Sequence, residues 1–321
     1  MSYTPTDDPN RPSNNPVEFR GVYTALTTPF TPDGSAIDFA ALERQIAFQA
    51  QGGVAGIVAS GTTGESPTLE HDEYQRLIEA AVRIGRLHGL QVVAGAGSNS
   101  TRHAVEMQRF AAAAGAHATL SVNPYYNKPT QEGLYRHFTA IADSADLPVI
   151  VYNIPSRSAG GLTLETIKRL SSHPNIRAIK DAVGNVDFTA ETCAQCPGLA
   201  VLSGDDPLTL PMIGVGAVGV VSVVSNLVPA QVVAMVAAAL GDDVPSGATP
   251  GTALELHREL LPLIKALFTE TNPIPLKAAM RLLGRDSGSL RLPMTPASPA
   301  CIERLRHVLT SMELLRQTAG V

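Results

Sequence analysis

The chain has 321 residues, 44% of them hydrophobic and 17% charged, with a formal net charge of −5. That length suits a large core, and roughly 250 residues make one α/β barrel. The dispersed charge offers no basic, aromatic-laced face for nucleic acid, the apolar runs are too short and broken to span a membrane, and three cysteines without an export signal fit a reducing cytoplasm.

Residues 1–18 are polar and rich in Pro, Asn and Asp, and read as a disordered tail. Strand-like runs then alternate with helix-like ones. The strands are read at Val22–Thr28, Gly56–Ser60, Gln91–Gly95, His117–Val122, Pro148–Tyr152, Ile176–Ile179, Ala200–Ser203 and Gly219–Val224. They are short, Val/Ile-rich and mostly unalternating, as strands buried on both faces are. Amphipathic stretches such as Asp38–Gln51, Glu70–Leu87, Thr101–Ala114 and Gln131–Ala142 lie between them. Eight such units predict an α/β fold, a TIM (β/α)8 barrel, over residues 19–240. Residues 241–252 are Gly-, Asp- and Pro-rich and read as a linker. Leu254–Phe268, Ile274–Leu283 and Ala297–Thr318 read as helices, so residues 241–321 form a C-terminal helical region packed on the barrel.

Lys180 is the candidate nucleophile. It ends the sixth strand, in Ile176-Arg177-Ala178-Ile179-Lys180-Asp181, where a barrel places its catalytic groups. Ala178 and Ile179 precede it, and Tyr152 ends the adjacent strand. Desolvation in such a mouth favours the neutral amine, which attacks a ketone to form a Schiff base. The plain alternative is a strand-end lysine that reaches water.

Other segments carry two readings each. Gly61-Thr62-Thr63-Gly64-Glu65-Ser66 follows the second strand and precedes a helix, where hydroxyls and free N–H groups suit a carboxylate or phosphate; an ordinary capped βα turn explains it too. Pro124-Tyr125-Tyr126-Asn127 is a rigid loop or a packing surface. Arg157, in Tyr152-Asn153-Ile154-Pro155-Ser156-Arg157, offers a planar fork for a carboxylate or is a solvated surface residue. Gly214-Val215-Gly216-Ala217-Val218-Gly219 fits a dinucleotide pattern but has its helix before its strand, which excludes it. Cys193-Ala194-Gln195-Cys196 has redox or zinc spacing without a second ligand pair and reads as coincidence. No metal set has convincing spacing.

Taken in order, these motifs and Ser203-Gly204-Asp205-Asp206, Asn272-Pro273-Ile274-Pro275 and Leu290-Arg291-Leu292-Pro293 resemble the dihydrodipicolinate synthase / N-acetylneuraminate lyase family from about residue 20 onward. The resemblance implies a pyruvate-dependent barrel lyase using Lys180 as its Schiff-base residue. Thr62-Thr63, Tyr126 and Pro155-Ser156-Arg157 look like the synthase branch. That branch joins pyruvate to L-aspartate 4-semialdehyde, giving 4-hydroxy-tetrahydrodipicolinate on the way to diaminopimelate and lysine. By that resemblance Tyr152 is the general acid/base, relayed through Thr62 and Tyr126, with Tyr126 reaching into a neighbouring subunit's site. Thr63 holds the pyruvate carboxylate and Arg157 that of the aldehyde. Gly204 and Val221 supply carbonyls near the imine. No metal or organic cofactor is implied, and the expected assembly is a cytoplasmic homotetramer of tight dimers.

Two departures stand out. Lys180-Asp181-Ala182-Val183-Gly184 replaces the branch's frequent Lys-Glu-Ala-Thr-Gly, and Ser158-Ala159 replaces Thr-Gly. Lysine-inhibited members also carry a regulatory pocket. Ser66, His71, Asn99 and Tyr125 match it, whereas Tyr74 and His103 replace a His and a Glu, which implies weak or absent lysine inhibition. Two other functions remain open. One is an aldolase or dehydratase of the same family acting on a sugar acid or hydroxy-oxo acid. The other is a non-catalytic binding barrel, disfavoured because Lys180, Tyr152, Thr62, Tyr126 and Arg157 are all present.

Overall fold

The structure is a computed structural model that describes residues 17–158, 160–243 and 251–315. The expected tail falls outside these residues except for Val17 and Glu18, as does most of the expected linker.

Eight parallel strands close into a barrel in sequence order. They are β1 (Gly21–Ala25), β2 (Gly56–Ala59), β3 (Gln91–Gly95), β4 (Ala118–Val122), β5 (Val149–Asn153), β6 (Ile176–Asp181), β7 (Ala200–Ser203) and β8 (Gly219–Ser222). Helices α1 (Phe39–Gln51), α2 (His71–Leu87), α3 (Thr101–Ala113), α4 (Gln131–Ala142), α5 (Pro155–Ser158), α6 (Leu164–Ser171), α7 (Val186–Gln195), α8 (Thr209–Gly214) and α9 (Pro229–Leu240) follow the strands. The barrel is closed by β1 and β8, paired Gly21↔Gly219 through Thr24↔Ser222. A Cβ on Gly219 would run into the Gly21 carbonyl oxygen, so this crossing demands glycine.

Strand residues alternate between two apolar clusters. Tyr23, Val58, Val93, Leu120, Ile150, Ala178, Leu202 and Val221 fill the barrel. Val22, Ile57, Val92, Val149, Ile179, Val201 and Val220 join the outer core beneath the helices. Burial on both faces is why the strands read as continuous hydrophobic runs. The helices begin where short polar side chains accept the first free amides: Asp38 from Ala41 N, Thr130 from Gly133 N and Thr163 from Thr166 N. Cys193 lies inside α7 and Cys196 at its C-terminal end.

Three more helices follow: α10 (Ala253–Leu267), α11 (Ile274–Leu282) and α12 (Pro299–Ser311). α10 packs on α9, and α12 on α10 and α11. α12 ends seven residues before the expected Thr318, and residues 316–321 lie outside the described set. No helix among the described residues is long and apolar enough to cross a membrane.

Three strand ends differ from expectation by two residues or more. β1 stops at Ala25 because Thr27 N donates to Asn226 Oδ1 and Thr28 Oγ1 to Gly64 O, drawing the chain out of the ladder. β8 stops at Ser222 because Val223 N and Val224 N turn onto the Asp206 carboxylate. β6 runs two residues further than expected, through Lys180 and Asp181, because both pair with β5.

Candidate active site

Lys180 reaches the site through that extension. It lies in register with Tyr152 on β5 and Leu202 on β7. Strand alternation sends Lys180 inward and Asp181 outward, where Asp181 accepts from Thr189 Oγ1 at 2.7 Å and from Val183 N at 3.0 Å. The Lys180 side chain is 6% exposed, and its Nζ sits 4.1 Å from the centroid of the Tyr152 ring. A Cβ on Gly204 would stand 3.0 Å from Lys180 Cε, so glycine there leaves room for the lysine stem.

Burial dominates the electrostatics. It pulls Lys180 down to about 8; the Asp206 and Asp205 carboxylates oppose this, and the Arg157 cation adds to it. Burial also pushes Tyr152 up to about 12, so its phenol is protonated near neutral pH; Arg157 and a hydrogen bond with Thr62 act in the opposite direction. Asp206 is buried and anchored by Ser222 Oγ at 2.5 Å and Val223 N at 2.9 Å. A poised amine beside a protonated phenol matches what imine formation requires: a nucleophile, and a proton donor for the departing oxygen.

A cavity of about 580 Å³ opens at the C-terminal ends of the strands. Thr62, Tyr152 and Arg157 line it, and so do Ser66, His71, Tyr74, Asn99, His103 and Tyr125. Thr62 and Tyr152 thus share one cavity wall with the regulatory candidates, while Lys180 is not part of the lining and meets the site through its contact with the Tyr152 ring. Thr63 stands behind the wall, 3% exposed, its Oγ1 accepting from Asn272 Nδ2 at 2.9 Å. Arg157 is on the single turn α5 rather than in a free loop, and its Nη2 lies 3.4 Å from Asn272 O. Val221 is buried inside the barrel. Tyr126 does not join the set within one chain: it is 88% exposed, at a left-handed φ of 73°.

The hydroxyl loop is not the helix N-terminus expected for it. A short 3-10 turn at Ser66–Thr68 intervenes, and α2 is capped by Glu70 and Glu73. The amides of Gly64 and Ser66 bond Gly61 O, and that of Glu65 bonds Thr62 O, so the loop spends these donors on itself.

Contacts from far along the chain fix the loop's position. Glu65, 3% exposed and at φ 53°, pairs with Lys277 Nζ at 2.9 Å and accepts from Arg291 N at 3.0 Å. Lys277, fully buried on α11, also donates to Thr28 O at 2.6 Å and Ser289 O at 2.8 Å. Sequence reasoning assigned no role to Asp206, Asn272, Glu65 or Lys277. The available signal was a lone lysine on the apolar face of Ile274–Leu282.

Fold and cavity together define a barrel enzyme. A family model, the dihydrodipicolinate synthetase family, matches residues 18–312. The 4-hydroxy-tetrahydrodipicolinate synthase of Methanocaldococcus jannaschii is 47% identical over 300 residues, covering 92% of this chain and all of the relative. Dihydrodipicolinate synthase from Aquifex aeolicus superposes with a TM-score of 0.88 at 42% identity, over 94% of this chain and 100% of that one. The enzyme from Cyanidioschyzon merolae, solved with lysine bound, gives 0.87 at 41% identity, over 92% and 99%. The chain belongs to the dihydrodipicolinate synthetase family.

Proposed function

We propose that the chain condenses pyruvate with L-aspartate 4-semialdehyde to give 4-hydroxy-tetrahydrodipicolinate. The observation that carries this is the buried, down-shifted Lys180 amine against the Tyr152 ring. Nearly half of the residues are shared with a relative that bears this activity's name.

In this reading the neutral Lys180 amine adds to the pyruvate ketone. Tyr152 delivers a proton as the ketone oxygen leaves as water, and an iminium results. Loss of a methyl proton gives an enamine, whose carbon bonds to the aldehyde carbon while the aldehyde oxygen takes up a proton. The semialdehyde's own amino group then attacks the iminium carbon, closing the ring and freeing Lys180. Thr62, hydrogen-bonded to Tyr152, is placed to recharge the phenol. Thr63 and Arg157 take the two carboxylates, and Gly204 and Val221 offer carbonyls near the imine. The exposed Tyr126 completes the relay in a partner subunit, so the working form is at least a dimer, as the reading of a cytoplasmic homotetramer requires. No cofactor enters the scheme.

Purified protein should consume pyruvate only when the semialdehyde is supplied. Pyruvate trapping by borohydride without semialdehyde-dependent consumption would keep the amine chemistry and move the substrate to a sugar acid or hydroxy-oxo acid.

Lysine should inhibit weakly. By the family resemblance His103 replaces the Glu that holds an effector's ammonium; it lines the cavity, and Tyr74 contributes a buried hydroxyl. Losing a charge-assisted partner weakens binding about tenfold or more. Initial rates across a lysine series check this, and half-inhibition at micromolar lysine would overturn it.

A further inference from the structure

On the outside of the barrel, between α1 and the start of the segment after α11, lies a second cavity of about 180 Å³. It shares no residue with the cavity at Tyr152. Arg44, Gln45, Gln49 and Arg285 supply its polar wall, and Phe48 and Met280 much of its apolar wall.

The hydrogen-bond bookkeeping of this wall is one-sided. Gln49, 1% exposed, spends its Oε1 on Thr24 Oγ1 at 2.7 Å. Gln45, 4% exposed, spends its Oε1 on Thr27 Oγ1 at 3.2 Å. Both acceptors are thereby drawn toward the barrel. Asn226, the remaining amide, is fully engaged with Thr27 N, Ala25 O and Val223 O. What remains are donors. Gln49 Nε2 has no partner among the described residues, and Gln45 Nε2 makes one long contact, 3.4 Å, to Asp286.

The arginines extend the pattern. Arg285 stacks on Phe48, 4.2 Å from the ring centroid, and donates one bond, to Leu227 O at 2.8 Å. A guanidinium has five N–H donors, so most of its capacity is unused. Burial lowers its pKa, and no carboxylate forms an ion pair with it among the described residues. Arg44 is exposed and likewise has no acidic partner there. Cations without an acidic partner among the described residues, one free amide donor on Gln49 and a second on Gln45 that makes only a long contact to the Asp286 carboxylate surround a partly open cavity, an arrangement that complements an anion.

We propose that this cavity binds a small oxyanion, a phosphate or carboxylate group, held between Arg285 and Arg44 with the Gln49 and Gln45 amides as further donors. The planar guanidinium fork suits both groups, and the volume restricts the occupant to a small ion or to the anionic end of a larger one. The site is independent of the proposed reaction.

The test is thermal unfolding and titration calorimetry of the full chain with inorganic phosphate and, separately, malonate, against chloride at matched ionic strength. A saturable response to one or both oxyanions is expected, and comparing the two arms separates phosphate from carboxylate. Arg285→Gln and Arg44→Ala should each weaken it about tenfold, the loss of one charged partner. Arg157→Ala, which removes the carboxylate fork of the other cavity, can lower the malonate response through that cavity but should leave the phosphate response in place. Arg285 also holds Leu227, so if Arg285→Gln fails to fold, the exposed Arg44 decides the matter. No response beyond chloride, an undiminished response in Arg44→Ala, or loss of the phosphate response in Arg157→Ala would each overturn the proposal.

Discussion

Lys180→Ala should fold normally, take up no mass from pyruvate and borohydride, and lose at least about 10³-fold in turnover, because an obligatory nucleophile leaves no substitute route. The substitution relieves a buried amine but also removes its packed stem, so the two effects oppose each other and the unfolding midpoint should stay within about 5 °C of wild type. The wild-type pH profile tests the same claim. With a pKa of about 8 in place of 10.5, roughly a tenth of the lysine is neutral amine at pH 7, against about one part in 3,000 for an ordinary lysine. Trapping at limiting pyruvate should therefore rise about tenfold per unit below pH 7 and level off above about pH 8 to 9. The stability term has a definite sign. Between about 8 and 10.5 the unfolded chain holds the extra proton, so this group's contribution to stability rises with pH across that window and is flat below it. A trapping rate still climbing at pH 10 would mean an unperturbed amine and would sink the burial argument. Turnover surviving in Lys180→Ala would sink the Schiff base altogether.

Lys277→Met should be the most damaging change outside the cavity. It strips the partner from Glu65, leaves a carboxylate buried without its cation, and leaves the Thr28 and Ser289 carbonyls short of a donor. Removing one member of a buried pair costs about 3–5 kcal/mol. In a chain of this size that is a fall of roughly 5–15 °C in the unfolding midpoint. Activity should fall too, because the pair ties α11 to the loop that carries Thr62 and Thr63. The double variant Lys277→Met with Glu65→Gln removes the stranded charge and should recover part of the midpoint. If Lys277→Met unfolds within about 2 °C of wild type, the clamp contributes little and the loop is held by other contacts.

Much of the architecture was legible along the chain. The barrel strands are buried on both faces, so each appears as a short Val/Ile run that needs no partner to be recognised. Helices α1, α2 and α4 begin within a residue of their expected positions, because Asp38, Glu70 and Thr130 are local caps that bond amides three residues ahead. Lys180 stood out for the same reason: one cation ending an apolar run is a local anomaly.

Strand ends were less legible. β6 continues to Asp181 only because β5 lies alongside, and β8 ends at Ser222 only because Asp206 captures the following amides. The sequence by itself therefore determined the eight-fold alternation, the candidate nucleophile and the residue types around it. Only the tertiary structure decided that Tyr152 stands 4.1 Å from Lys180, that Lys277 buries its charge against Glu65, and that Tyr126 faces outward. Local propensity and periodicity act over a few residues and can be read there. Desolvation and ion pairing depend on what packs around a group, and at Lys277 that partner lies more than 200 residues away.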